Sequence, residues 1–173
     1  MKRIITLFLA ILMAFTLIAC TPKEVEVSII IPEDIVGLIA STDEESFVEE
    51  LTATPGIISV VQNEDGSIAI TMTKTAQDRI LQEIITTTDE TIAELVADEN
   101  YSFTAITYNE NMSEFNLIAD GDLFNATDAA LFFDFAIIGY RYQCFSGETE
   151  ISATIYFIDD ETGEDLLFPI VLS

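Results

Sequence analysis

The segment GIISVVQNEDGSIAITMT, residues 56–73, carries the clearest structural signal in the sequence. On both sides of Asn63–Gly66, apolar residues alternate with small or polar ones: Ile58 and Val60 before the turn, then Ile68, Ile70 and Met72 after it. Alternation with a period of two is typical of strands that bury one face, and a short glycine-containing turn joins such strands into a hairpin. The segment therefore predicts a β-hairpin.

Three further segments extend this pattern on either side of the hairpin. Residues 25–31, VEVSIII, predict a half-buried or central strand that Pro32 ends. Residues 102–108 and 114–119 predict a second hairpin around the turn NENM. The closing segment EISATIYFIDDETGEDLLFPIVLS predicts a third hairpin that turns at residues 160–163.

Helical patterns separate these strands. One or two loose turns are expected after Pro32, and Thr42 with Glu45 has the spacing of a capping box before a helix that ends at Pro55. Thr75 with Asp78 predicts the start of a long helix, which could kink at the three consecutive threonines 86–88. A mostly apolar helix is expected over residues 125–147, in which Asp134 and Arg141 lie two turns apart and could face the same side. The order β-α-ββ-α-ββ-α-ββ predicts an α+β domain, with a largely antiparallel sheet built from hairpins and helices packed on one face.

The first twenty residues, MKRIITLFLAILMAFTLIAC, have a basic start, an apolar core and a small residue before a cysteine. Such a segment is typical of an export signal. Leu17-Ile18-Ala19-Cys20 resembles the lipobox of bacterial lipoprotein precursors. The resemblance implies a cleaved signal peptide over residues 1–19 and a diacylglycerol group on Cys20, with the mature protein held on the outer face of the bacterial cytoplasmic membrane. An ordinary signal peptide, or an uncleaved anchor, is the alternative.

If residues 1–19 are removed, residues 20–24 form a short tether and residues 25–173 form one domain. Four extended residues reach about 14 Å, so the domain is expected to lie close to the membrane with its most acidic face turned away. The chain also resembles small bacterial surface lipoproteins of unassigned activity, through the opening SIIIPEDI, the hairpin at 58–74 and the long helix after it. This second resemblance implies no catalytic residue.

The charge of the chain is strongly negative. It has 31 acidic and 6 basic residues, and two of the bases, Lys2 and Arg3, belong to the leader. Nucleic-acid binding depends on cationic side chains that neutralise phosphates, so this composition argues against a nucleic-acid partner. A solvated surface is one interpretation of the acidic face, and a protein or cationic partner is the other.

Few kinds of chemistry are compatible with the side chains. The chain contains no histidine, which excludes Ser-His-Asp and Cys-His catalysis, and no nucleotide-binding or nucleophile-elbow motif occurs. If Cys20 is acylated, Cys144 has no disulfide partner and is expected to be a small buried apolar residue. A carboxylate-based hydrolase stays open as the less favoured alternative, because abundant acids name no particular pair. No cofactor is predicted.

Two acidic segments were compared with calcium-binding loops. Residues 159–165 and 120–128 both lack the glycine and glutamate spacing of an EF-hand, so turns and helix caps are the favoured interpretation and no metal ligand is predicted. The tyrosines form either a binding surface or, as we prefer, the edge of the core. They are Tyr101, Tyr108, Tyr140, Tyr142 and Tyr156.

The sequence therefore favours a membrane-anchored, non-enzymatic interaction or accessory module outside the cytoplasm. A solute- or cation-binding (Ca²⁺) surface lipoprotein is the alternative. A deep pocket with convergent polar groups would favour binding, two carboxyl groups about 5–10 Å apart in a cleft would favour hydrolysis, and a convex surface would favour interaction. The partner and the oligomeric state are not defined by the sequence.

Overall fold

The computed structural model describes residues 24–40 and 44–173, which adopt the expected α+β fold. The strands are β1 Glu26–Ile31, β2 Ile57–Gln62, β3 Ile68–Thr73, β4 Phe103–Tyr108, β5 Glu114–Ala119, β6 Ala153–Asp159 and β7 Ile170–Leu172. The helices are α1 Glu33–Ile39, α2 Glu44–Ala53, α3 Lys74–Ala97, α4 Ala126–Ala130 and α5 Phe132–Ser146. The leader, Cys20 and the predicted cap residue Thr42 lie outside the described residues.

The described strands are divided between two sheets. The first sheet has the order β1-β3-β2 and is antiparallel throughout, whereas the second has the order β4-β5-β6-β7. In the second sheet β5 and β6 run parallel, and the other pairs are antiparallel. Parallel neighbours need a crossover connection, and α4 and α5 provide it between β5 and β6. The expectation of a largely antiparallel arrangement is therefore confirmed, with one parallel pair.

The hairpin predicted over residues 56–73 is formed by β2 and β3, with Gly66 at a φ of +81° in the turn. The register shifts between Ile57 and Ser59, as in a β-bulge, so the expected alternation is broken there. The Ile58 side chain is 53% exposed, whereas Val60 is half-buried against the core.

The first sheet buries one face and leaves the other to solvent. Ile68, Ile70 and Met72 of β3 have no exposed surface, and they pair with β1 residues whose side chains point to the same side. On the opposite face, Ile30 is 62% exposed, and Ser28 and Thr71 are joined by a hydroxyl hydrogen bond of 3.1 Å. The helices therefore cover the sheet from one side, as the alternation predicted.

The long helix α3 starts earlier than expected. It begins at Lys74, and the Thr73 side chain caps it by accepting a hydrogen bond of 3.1 Å from the Ala76 N–H. The predicted capping role of Thr75 was therefore wrong. The helix continues through the threonine run, where the Thr88 hydroxyl donates to the Ile84 carbonyl at 2.7 Å. This local bond satisfies the hydroxyl within the helix.

Helix α5 lies at the centre of the molecule. It contacts β1 of the first sheet and β6 of the second, and it packs on α1 and α3. Its apolar residues therefore have partners on several sides, which explains a sequence that is apolar nearly all round. The helix ends at Gly147, which has a φ of +87° and whose N–H donates to the Gln143 carbonyl at 3.1 Å.

The last predicted hairpin is present with a longer connection than expected. The turn after β6 is closed by a bridge between Ile158 and Asp165, but β7 begins at Ile170. All the fully buried apolar residues lie between Ile29 and Phe157, so this part of the chain supplies its own core. None of the helices in residues 24–40 and 44–173 is long and apolar enough to cross a membrane.

Candidate functional site

A groove of about 530 Å³ opens between helices α2, α3 and α5. Its volume lies within the range of roughly 300–1,000 Å³ that small-molecule sites occupy. One face of each of these three helices forms a wall of the groove. They contain Phe47, Glu50, Leu51 and Thr54 from α2 and its end, Ile80, Ile84, Thr87, Thr88 and Thr91 from α3, and Ile138, Arg141 and Phe145 from α5.

The floor of the groove is apolar and belongs to the core. Phe47, Leu51 and Phe145 are buried, and the end of α1 adds the buried Ile39. Half-buried isoleucines of α3, Ile80 and Ile84, form one wall. A molecule seated here would replace water at an apolar surface, which is the main source of affinity in such sites.

The polar groups of the groove are four threonines and four charged side chains at its rim. The charged residues are Glu50, Arg79, Glu83 and Arg141. The composition of this set is unusual for the chain, because the described residues contain just three cations, Lys74, Arg79 and Arg141. Two of the three cations therefore line one groove, where they balance its two glutamates in a protein that is otherwise strongly anionic.

Arg79 holds one end of the groove together. Its guanidinium donates a hydrogen bond of 2.9 Å to the Pro55 carbonyl, which links α3 to the segment that follows α2. It also lies 3.9 Å from the Glu83 carboxylate, with both side chains largely exposed. Exposed pairs of this kind add little stability, so the bond to Pro55 is the better-defined role of Arg79.

Arg141 differs from the other cations. Lys74 pairs with Asp78 at 2.7 Å and Arg79 has the contacts given above, but Arg141 makes no hydrogen bond or ion pair with any residue of 24–40 or 44–173. The sequence allowed Asp134 to face the same side of the helix, and the described side chains do not pair. Arg141 therefore offers a guanidinium with five donors at the rim of an apolar groove.

The two acidic segments compared with calcium loops act as turns and caps, as we favoured. Asp159 accepts hydrogen bonds from the Thr162 N–H and hydroxyl, both at 2.7 Å, and these bonds hold the pKa of its carboxyl below the usual value. Asn125 and Asp128 form the capping box of α4. Within the part of the chain that the structure describes, no three His, Cys, Asp or Glu side chains are placed to hold a metal ion.

Asp128 is a fully buried carboxylate with a structural role. It accepts hydrogen bonds from the Ser102 N–H and hydroxyl at 3.2 and 3.0 Å and from the Asn125 N–H at 2.9 Å. These bonds tie the entry of β4 to the start of α4. Because three donors satisfy the oxygens of this buried carboxylate, Asp128 stabilises the contact between the two elements.

Cys144 and the tyrosines belong to the core and its edge. Cys144 is a free, buried thiol, and burial raises its pKa to about 12, so it is a poor nucleophile at neutral pH. Tyr140 is buried, and the other four tyrosines are half-buried rather than exposed. The Tyr108 hydroxyl donates to Asp89 at 2.7 Å. Tyr140 lies in the core and Tyr101, Tyr108 and Tyr142 pack against it, as the core-edge interpretation expects.

Sequence reasoning considered Arg141 as a partner of Asp134 and did not recognise the groove. The one available signal was the spacing of Ile80, Ile84 and Thr88, which places an apolar and hydroxyl-bearing stripe on one face of α3.

Comparisons with protein-family models, with curated proteins and with solved structures found no match for this chain. The lipidation residue predicted from the sequence, Cys20, lies outside the described residues.

Proposed function

We propose that this protein is a lipid-anchored, non-enzymatic binding module outside the cytoplasm, and that the groove between α2, α3 and α5 is its binding site. The observation that carries the proposal is the meeting of an apolar floor with both described arginines in one concave site. Of the alternatives the sequence left open, solute binding has this support. It takes the place of the convex interaction surface that we expected first.

The binding function is tested with a neutral fluorescent probe, 1-N-phenylnaphthylamine, whose emission rises in apolar sites. Residues 21–173, which include the whole described core, should bind it. Thr87 lies at the exposed rim of the groove, so Thr87→Trp should fill the site and abolish the signal. Thr86→Trp places the same side chain on the exposed neighbour outside the lining and should leave binding intact. Equal effects of the two variants, or no binding at all, would refute the groove as a site.

The anchoring part of the proposal rests on the resemblance of residues 17–20 to a lipobox. We expect mass spectrometry of protein extracted from bacterial membranes to find diacylglycerol on Cys20, with Cys20 as the first residue. Two acyl chains would then hold the protein stably on the membrane, with the domain close to its surface. An intact Met1 or an unmodified Cys20 would contradict the lipoprotein assignment without touching the binding function.

A further inference from the structure

The groove holds two of the three cations among the described residues, Arg79 and Arg141. Outside it, Lys74 is the one cation in residues 24–40 and 44–173, and Lys74 is already paired with Asp78 at 2.7 Å. Inside it, Arg79 and Arg141 offset Glu50 and Glu83. The acidic side chains elsewhere on the surface repel an approaching anion. In the groove the two arginines offset the nearby glutamates, so an anion can bind there with less repulsion.

The guanidinium whose donors are available to a ligand is that of Arg141. Arg79 already donates to the Pro55 carbonyl at 2.9 Å and lies next to Glu83. Arg141 has no such bond within the described part of the chain. Its planar fork fits the two oxygens of a carboxylate, and such bidentate contacts are among the stronger hydrogen bonds in proteins.

The floor and one wall of the groove suit an aliphatic body. Ile80 and Ile84 lie one helical turn apart along α3, and Leu51 of α2 belongs to the buried floor of the same groove. These three branched aliphatic side chains carry no hydrogen-bonding groups. Each CH₂ that a ligand buries against such a surface strengthens binding about fourfold.

We propose that the groove binds a monocarboxylate with an aliphatic chain, with the carboxylate held by Arg141 and the chain lying along Ile80, Ile84 and Leu51. This assignment rests on the proposed binding function and adds the chemical class of the ligand. Arg79 positions the groove through its bond to Pro55, and Arg141 recognises the anion. The occupant is a free molecule rather than a lipid in a bilayer or a peptide.

The test is calorimetric titration of residues 21–173 with decanoate and decanol. Decanoate should bind about tenfold or more tightly than decanol, as expected for a charged hydrogen-bonded pair. Arg141→Gln should reduce decanoate affinity to that of decanol and leave decanol unchanged. Lys74→Gln removes the same charge outside the groove and should change neither affinity. Shortening the chain to octanoate should weaken binding by roughly fourfold for each CH₂ lost.

The outcomes separate the two proposals. If the neutral probe binds but decanoate is no tighter than decanol, the ligand class is wrong and the binding function stands. If Lys74→Gln weakens decanoate as much as Arg141→Gln does, the effect is one of overall charge and the role of Arg141 is wrong. If neither probe nor decanoate binds, both proposals fail. Flotation with phosphatidylglycerol vesicles, in the absence of decanoate binding, would identify a bilayer lipid as the occupant and overturn the assignment.

Discussion

The side-chain amide of Gln143 pairs in both directions with the backbone of Ser152. Its Nε2 donates to the Ser152 carbonyl at 2.8 Å, and its Oε1 accepts from the Ser152 N–H at 3.1 Å. The side-chain amide thus makes the pair of hydrogen bonds that the backbone of a neighbouring strand would make, just before β6 begins. Gln143 is 1% exposed, and its Nε2 also contacts the carbonyl of Gly139 at 3.2 Å. This pair fixes the central helix α5 against the second sheet.

Replacing Gln143 with leucine should therefore cost about 2–3 kcal/mol of unfolding free energy, because the Ser152 N–H and C=O lose their partner in a partly buried place. Gln82→Leu is the matched control on the exposed side of α3 and should change stability by less than about 0.5 kcal/mol. Urea denaturation measures both. A loss below about 1 kcal/mol for Gln143→Leu would show that water replaces the amide.

Two glycines should respond oppositely to the same substitution. A Cβ on Gly139 would clash with the Met112 carbonyl, so Gly139→Ala should destabilise by about 1–3 kcal/mol. A Cβ on Gly37, within α1, would have no atom within 4 Å. Gly37→Ala should stabilise by about 0.5–1 kcal/mol, since alanine favours the helix. Thermal unfolding of the two variants checks each sign, and a Gly139→Ala variant as stable as the parent protein would contradict the close approach of α5 to Met112.

Stability at alkaline pH should depend on Tyr108. Burial, followed by the hydrogen bond to Asp89, raises its pKa to about 12 from an ordinary value of 10.0. The folded state then holds the hydroxyl proton of Tyr108 more tightly than the unfolded state does. The stabilisation of the fold by protonated Tyr108 is therefore complete below pH 10 and is lost as the pH rises towards 12.

Tyr108→Phe should flatten the fall in unfolding free energy over that window. Asp89→Asn should move the tyrosinate absorbance of Tyr108 to lower pH, because the hydrogen bond to the carboxylate is one cause of the raised pKa. The pKa of Tyr108 is measured from the difference in tyrosinate absorbance between each variant and the parent protein over a pH titration. Identical pH profiles for Tyr108→Phe and the parent would rule out the linkage.

Cys144 should be unreactive in the folded protein. With its pKa raised to about 12 and its side chain buried, almost no accessible thiolate exists near neutral pH. Residues 21–173 should react with Ellman's reagent only as fast as the core opens, and at once in concentrated guanidinium chloride. In a Cys144→Ser background, Thr86→Cys provides an exposed control that should react rapidly in the folded state. Rapid labelling of native Cys144 would contradict the packing of α5.

The elements of this fold were largely predictable because each depends on neighbours along the chain. The turn at Gly66 and the alternation of Ile68, Ile70 and Met72 depend on contacts a few residues apart, and both were recovered. The departure from regular alternation at Ile58 and the error at Thr75 have different causes. The bulge in β2 arises from pairing with β3, and the cap at Thr73 arises because the strand runs directly into α3.

The local sequence pattern by itself determined the α+β class, the hairpins and the place of Cys144 in the core. The reason is that the spacing and the neighbours of apolar residues along the chain indicate which side chains are buried. Tertiary structure alone decided that the strands form two sheets, that β5 and β6 run parallel, and that Arg79 and Arg141 line one groove. These two residues are separated along the chain by two strands and a helix. Residues so distant in sequence meet only through the packing of α3 on α5, which no local signal encodes.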